Sequence, residues 1–381
     1  MDSLKKQKFD IAVIGAGISG ATLAERYAAL GKKVLVIEKR DHLGGNCYDF
    51  YDSADVRISK YGAHLFHTNY EDVWAYVNRF SQWYPYEHRV LAKVDGLFVP
   101  IPVNITTVNQ VFGLNIQTEA EMKQWLAENQ IKNDQPQNGE EAALARVGEI
   151  LYEKMFKNYT KKQWDKYPAE LDASVLERIP VRTNMDDRYF TDKYQALPRK
   201  GYAKLFEKML NHPNITVQLN TDYFDIKDKL PNFEKLFYTG PIDQFFEFKY
   251  SVKQDLEYRS IHFAWETHDT PQYQENSVIN YPSPQDGAFT RIVEYKHFTQ
   301  QELPKTTISK EYSVDYVTGQ NEPYYPVPNP KNQAIFKKYQ REVDKLSNIY
   351  FVGRLANYKY FNMDEAFKNA LDLFTKLEGK S

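Results

Sequence analysis

The sequence predicts an α/β protein: a Rossmann-like dinucleotide-binding domain carrying an inserted helical domain and an antiparallel β-sheet domain. Three observations predict this. First, a buried apolar strand, Phe9 to Ile14, runs directly into Gly15-Ala16-Gly17-Ile18-Ser19-Gly20 and a helical pattern. Second, the middle of the chain is helical over about 105–165 and then strand-rich over about 250–325. Third, the far end returns to a buried strand, Ile349 to Gly353, and an amphipathic helix. The nucleotide-binding fold therefore opens and closes the chain, and is assigned to 1–80, 199–245 and 335–381. The helical domain is assigned to 103–178, and the sheet domain to 81–102, 179–198 and 246–334.

Each element has its own signal. The first helix runs from Ala21 to Leu30, with Gly31 as its stop, and Val34 to Ile37 is a second buried strand ending in Glu38. Asn69 reads as an N-cap, with Glu71 and Asp72 in the first turn and Val73, Val77 and Phe80 on one face. Val90 to Val94, Asp95-Gly96 and Leu97 to Val99 form a hairpin with a type I′ turn. Thr118 and Glu121 form a capping box, and Leu144, Val147, Leu151 and Met155 repeat at helical spacing. Strands are expected at Ile215 to Leu219, Leu236 to Gly240, Tyr258 to Trp265, Val278 to Tyr281, Phe289 to Phe298 and Ile308 to Val314. Several alternate apolar and polar residues, as an antiparallel sheet does. The four prolines of Pro323 to Pro330 predict a rigid ordered turn region. Met363, Ala366, Phe367, Ala370, Leu371 and Phe374 lie on one face of the last helix.

Composition narrows the function classes. The 381 residues carry 49 basic and 51 acidic side chains, a net charge of −2, which points away from wholesale nucleic-acid or membrane binding. The apolar run Ile11 to Ile14 is too short for a secretory core or a membrane span, and no other stretch approaches the length of one. A lone cysteine, Cys47, rules out an intramolecular disulfide and fits a reducing compartment, so a cytoplasmic location is expected. The 29 tyrosines suit an aromatic-rich core, and also a cleft lined with hydroxyls.

The glycines carry the clearest chemistry. Gly15 allows a tight turn, Gly17 lets the backbone approach a pyrophosphate, and Gly20 lets helix and strand pack closely. The helix start then offers free N–H groups and a positive dipole end to phosphates. Glu38 is placed to accept from a ribose diol, favouring a cofactor without a 2′-phosphate. Downstream, Lys39-Arg40-Asp41-His42-Leu43-Gly44-Gly45-Asn46 and Val352-Gly353-Arg354 resemble segments of FAD oxidoreductases. If the last helix points its start at the flavin, its dipole stabilises the negative charge of the reduced ring.

Further segments are Tyr61-Gly62-Ala63-His64-Leu65-Phe66-His67-Thr68-Asn69, Tyr159-Thr160-Lys161-Lys162-Gln163-Trp164, Ile179-Pro180-Val181-Arg182, Asp186-Asp187-Arg188-Tyr189-Phe190, Phe289-Thr290-Arg291-Ile292-Val293-Glu294, Glu322-Pro323-Tyr324-Tyr325-Pro326 and Gly353-Arg354-Leu355-Ala356-Asn357-Tyr358-Lys359-Tyr360. Together they resemble one family, the UDP-galactopyranose mutases of bacterial type. They follow the family's order and span almost the whole chain. The resemblance implies FAD, active in its reduced form, and reversible conversion of UDP-galactopyranose to UDP-galactofuranose without net redox change. It implies attack of flavin N5 on the anomeric carbon, loss of UDP, opening and reclosure of the sugar on the flavin adduct, and return of UDP. A homodimer is the family expectation.

By the same match, Arg178 and Arg291 clamp the diphosphate, whose growing charge suits guanidinium forks. His64 lies beside the flavin. Tyr189, Tyr325 and Tyr360 bond the diphosphate, Asn280 lies near the sugar or phosphates, and His88 is among the substrate-binding residues. Met155 and Phe156 flank the uracil, while Tyr159, Thr160 and Trp164 belong to the substrate loop. Lys39, Gly45, Asn46, Leu65 and Arg354 contact FAD, and Met363, Asp364, Glu365, Ala366 and Phe367 approach its ring through the helix start. No metal is expected. Met155, His88 and Asn362 depart from some bacterial members, which have an aromatic, Asn and Asp there. Two alternatives stay open at this stage: an FAD-dependent oxidoreductase of the amine oxidase type, and a nucleotide-sensing protein without catalysis.

Overall fold

The structure is a computed structural model and describes residues 8–177, 179–250 and 255–379. Its centre is a five-stranded, wholly parallel sheet. From one edge to the other the strands are Ile215–Gln218, Val34–Ile37, Ile11–Ile14, Lys235–Tyr238 and Ile349–Phe351. Ile11–Ile14 and Val34–Ile37 are buried at every position, which is why they read as unbroken apolar runs rather than alternating ones. Side chains still alternate between the two faces. Ile11, Val13, Val34 and Val36 pack with Leu23 and Tyr27 of the first helix, Ile18–Ala29, and with Phe367 and Phe374 of the last, Met363–Glu378. Ala12, Ile14, Leu35 and Ile37 face the opposite layer with Ile226 and Tyr238.

A seven-stranded sheet lies beyond this layer. Its spine pairs Tyr258–His268 with Thr306–Asp315, antiparallel. Arg291–Glu294 follows, then Val278–Asn280 and the hairpin Val90–Val94/Leu97–Ile101. Asp95 (φ 50°) and Gly96 (φ 85°) both have positive φ, as the predicted type I′ turn requires. In the proline-rich region, Tyr325–Pro326 pairs with the edge of Tyr258–His268, and Pro330 starts the helix Pro330–Val343.

Two expectations are corrected. The strand predicted over 289–298 ends at Glu294, and the chain turns into a short helix, Lys296–Thr299. The buried Lys296 ammonium draws it in by donating to the carbonyls of Pro271 (2.8 Å), Leu303 (2.5 Å) and Lys305 (3.2 Å). Asn69 does not cap the helix Glu71–Asn78; Tyr70 holds that position, without a side-chain cap. The Asn69 side chain is committed elsewhere, accepting from Lys193 N and donating to Asp192.

The helical unit packs its own core of Val108, Met122, Leu126, Val147, Leu151, Met155 and Trp164. Capping boxes at Asn104/Thr107 and Thr118/Glu121 open Ile105–Phe112 and Glu119–Asn129. The next helix, Gly139–Leu151, is broken at Gly148 (φ 75°), where a Cβ would lie 2.3 Å from the Asn129 carbonyl oxygen. It continues through a π-helical turn, Tyr152–Lys157, into Asn158–Trp164, which Asp165 ends in the left-handed region. Wide turns of this kind often mark functional sites.

Candidate active site

A cleft of about 230 Å³ opens at the C-terminal ends of the parallel strands, where open α/β sheets bind ligands. Its floor is the glycine loop. Gly15 has φ +100°, and a Cβ there would lie 2.1 Å from Thr239 Oγ1; a Cβ on Gly20 would lie 1.9 Å from Gly15 O. Gly17 and Gly45 meet backbone to backbone: a Cβ on Gly45 would lie 2.9 Å from Gly17 Cα. The first helix starts at Gly17 with no capping side chain and no acidic residue in its first turn. Its leading N–H groups are therefore free to receive an anion at the cleft. A dinucleotide pyrophosphate fits this cradle, as side chains larger than hydrogen would fill it.

Glu38 binds the loop with both oxygens, accepting from Ala16 N (2.8 Å) and Arg40 N (2.9 Å). Arg40 lies over the Tyr61 ring at 4.2 Å and donates to Asn46 Oδ1 (3.0 Å) and Glu322 (2.7 Å). Lys39 reaches the same Glu322 carboxylate at 3.2 Å. Burial works to raise the Glu322 carboxyl, but Arg40 and Lys39 outweigh it and hold it below the usual range. Arg40 and Glu322 line the cleft from segments quoted above though neither was singled out as a site residue, while Thr239 and the wall Thr221 to Phe224 line it without a motif of their own. The nearest signal is the apolar strand before Thr239-Gly240, which ends at a glycine as cofactor-binding strands do.

At the inner end, Met363 and Ala366 of the last helix reach the cleft with His64, Gly353 and Arg354. Three neighbours in the same stretch do not line it. Glu365 caps the helix by accepting from Asn362 N (2.7 Å), and Phe367, 1% exposed, packs on Phe66 and Tyr76. Asp364 is buried, which raises its carboxyl, while His67 opposes. Leu65 packs against the core. Arg354 donates to the carbonyls of Phe361 and Tyr324 (3.1 Å) and lies 5.0 Å over the Tyr360 ring. His64 Nδ1 contacts Gly62 O at 2.8 Å, so the neutral ring donates there and keeps Nε2 as an acceptor. Burial pushes His64 down to about 4, with Arg354 and Arg291 adding to the effect.

Arg291 belongs to the second sheet, and pairing register explains its setting. Asn280 lies opposite Arg291, and Arg291 opposite Glu311, so the three share one face across adjacent strands. Glu311, 1% exposed, accepts from Arg291 Nε at 2.7 Å. Burial alone would lower the guanidinium's affinity for its proton, yet Glu311 and Tyr159 more than restore it. Tyr159 is pushed far above the usual phenol range by burial, with Arg291 opposing and Tyr189, Glu311 and Tyr325 also close enough to act on it. Tyr325 stands between Trp164 (5.4 Å) and Tyr360 (5.8 Å) in edge contacts. Arg354, Tyr360, Tyr325 and Trp164 thus link the cleft to the helix Asn158–Trp164.

His88 is 5% exposed, and its Nδ1 has no hydrogen-bond partner among the described residues. Burial, then Arg291 and His67, push it down to about 3. Its carbonyl accepts from Tyr189 N, and its ring lies 5.6 Å from Tyr189. Met155, Phe156 and Thr160 are buried in the π-turn and the helix that follows it. The predicted clamp partner Arg178 lies outside the described residues.

A family model described as an NAD(P)-binding Rossmann-like domain matches residues 13–80. A second, described as UDP-galactopyranose mutase, matches residues 154–360, from the π-helical turn through Arg291 to Tyr360. The probable UDP-galactopyranose mutase of Klebsiella pneumoniae is 39% identical over 369 residues, covering 95% of this chain and 93% of its own. The chain belongs to the UDP-galactopyranose mutase family. It is accordingly an isomerase with a Rossmann-type flavin cleft, and the oxidoreductase alternative has no better support. Within this mutase family likeness, a dTDP-fucopyranose mutase of Escherichia coli is also 39% identical, covering 95% of this chain and 96% of its own. The fold is shared with a crystal structure of reduced UDP-galactopyranose mutase, at TM-score 0.74 and 18% identity, over 98% of this chain and 96% of that one.

Proposed function

We propose that this mutase interconverts UDP-galactopyranose and UDP-galactofuranose on FAD held in its reduced form. The observation that carries the reading is the Asn280–Arg291–Glu311 row, whose arginine acts on His64 at the inner end of the cleft. Reduced flavin, when bound, supplies a nucleophile at the anomeric carbon. The remaining work belongs to the chain. Glu311 occupies Arg291 Nε, so the terminal guanidinium nitrogens are the donors offered to the departing diphosphate. By the family resemblance Tyr189, Tyr325 and Tyr360 offer hydroxyls to the same diphosphate, and Arg178 is the proposed second cation. Neutral His64 keeps a lone pair, rather than a positive charge, at the flavin. Met363 and Ala366 at the start of the last helix line the cleft, so its positive dipole end would favour negative charge gathered on a bound reduced flavin.

A second reading rests on the equal identity to the dTDP-fucopyranose mutase, and one experiment covers both. Anaerobic enzyme is given UDP-galactofuranose or dTDP-fucopyranose, with and without dithionite, and product is separated by chromatography. UDP-galactopyranose formed with dithionite, and scarcely without it, is expected. Turnover of the deoxysugar nucleotide alone overturns the substrate, and equal turnover by oxidised enzyme overturns the reduced-flavin requirement. The reading extends to a cytoplasmic location, which the buried free thiol of Cys47 suits, and to a homodimer, to be checked by sedimentation. Among the described residues no helix is long and apolar enough to cross a membrane.

A further inference from the structure

The helix Asn158–Trp164 carries three of the side chains expected at the substrate, yet it has only seven residues. A helix of that length has little stability of its own and takes its position from tertiary anchors. Lys162 supplies one. Its Nζ donates to three backbone carbonyls, those of Tyr281 (2.6 Å), Ser283 (2.8 Å) and Phe289 (3.2 Å). All three belong to the connection between Val278–Asn280 and Arg291–Glu294, the strands that bear Asn280 and Arg291. Tyr281 N donates to Thr290 O (2.8 Å), so the ammonium sits inside the closed end of that hairpin. The next residue is tied as well: Gln163 O accepts from Ser313 Oγ, on the strand that carries Glu311.

No carboxylate bonds Lys162 among the described residues; the nearby Asp286 is paired with Lys93 at 2.5 Å. The three carbonyls take over the role of water around the ammonium, and each uses one of its three N–H donors. An ammonium fully engaged in this way fixes position more narrowly than a surface ion pair does. Tyr159 lies one turn before Lys162 on the same helical side, so the anchor and the helix side chain that acts on Arg291 move together.

We propose that Lys162 is a positioning residue for the mutase reaction, holding Tyr159, Thr160 and Trp164 against the hairpin that bears Asn280 and Arg291. The proposal rests on the mutase reading above, and its test separates the two. Holoenzymes carrying Lys162→Met and Lys162→Arg are compared with the parent for flavin content, anaerobic kinetics and chymotrypsin cleavage within 156–177. Lys162→Met is expected to keep its flavin, raise KM about tenfold with a smaller change in kcat, and be cleaved faster. Lys162→Arg recovers most of the loss. KM within about twofold of the parent, with unchanged cleavage, overturns the proposal. A measurement on the parent protein guards against a variant that fails to fold. Acylation followed by mass spectrometry should leave Lys162 protected relative to the exposed Lys123, and equal labelling overturns the anchor. A parent enzyme without mutase turnover sinks the functional reading, while labelling and cleavage still decide whether the anchor exists.

Discussion

Arg291 meets its ligand with Nε already bonded to a buried carboxylate, so its orientation is set before any substrate arrives. Arg291→Ala is expected to lower kcat/KM about 10²–10³-fold or more, the scale of losing one preorganised charge-stabilising group. Flavin should remain bound, because Arg291 does not line the cofactor cleft; visible absorbance and anaerobic turnover check both. His88 gives a pH prediction. Its proton affinity is pushed down to about 3 in the fold, below the ordinary 6.5, so the unfolded chain binds the extra proton between those values. The stability it contributes is present above pH 6.5 and is lost as pH falls toward 3. Replacing it by Asn, which does not titrate, should flatten the fall of Tm between about pH 6.5 and 4. An unchanged slope in paired melting curves would refute the assignment.

Elements were legible where local chemistry decides them. The glycine loop, the I′ turn and the Thr118/Glu121 box depend on residues a few positions apart, and all three appear in the structure. The helix Pro330–Val343 does carry a local signal, with Asn329 as its cap, Pro330 in its first turn and Ile335, Phe336, Tyr339 and Val343 on one packed face, but the four prolines at its start read as a turn region. The strand expected over 289–298 failed because Lys296 is stabilised by carbonyls from Pro271, Leu303 and Lys305, a tertiary effect invisible to periodicity. For the site, motifs pointed to Arg291 and Tyr325, but Glu311 becomes visible only through strand register. Two predictions belong at this scale. Gly45→Ala, with φ +55° and Gly17 Cα in the way, should yield protein largely free of flavin by its absorbance ratio. Thr118→Ala removes a cap and should cost about 1 kcal/mol in denaturant melts without touching turnover.

At the scale of the whole molecule, the cofactor cleft gathers residues near 15–46, 221–244, 316–324 and 353–366. A ligand touching all four segments favours only the state in which they are assembled. Saturating FAD at about 100-fold its Kd should therefore stabilise the protein by about 2.7 kcal/mol, read as a higher Tm for holo than for apo protein. The edge strand Ile349–Phe351 and the cleft residues Met363 and Ala366 come late in the chain. A nascent polypeptide still threading the ribosome has its glycine loop exposed long before that wall exists. Flavin capture is thus deferred until residues 349–366 have been made, and a chain cut short before them is expected to purify colourless.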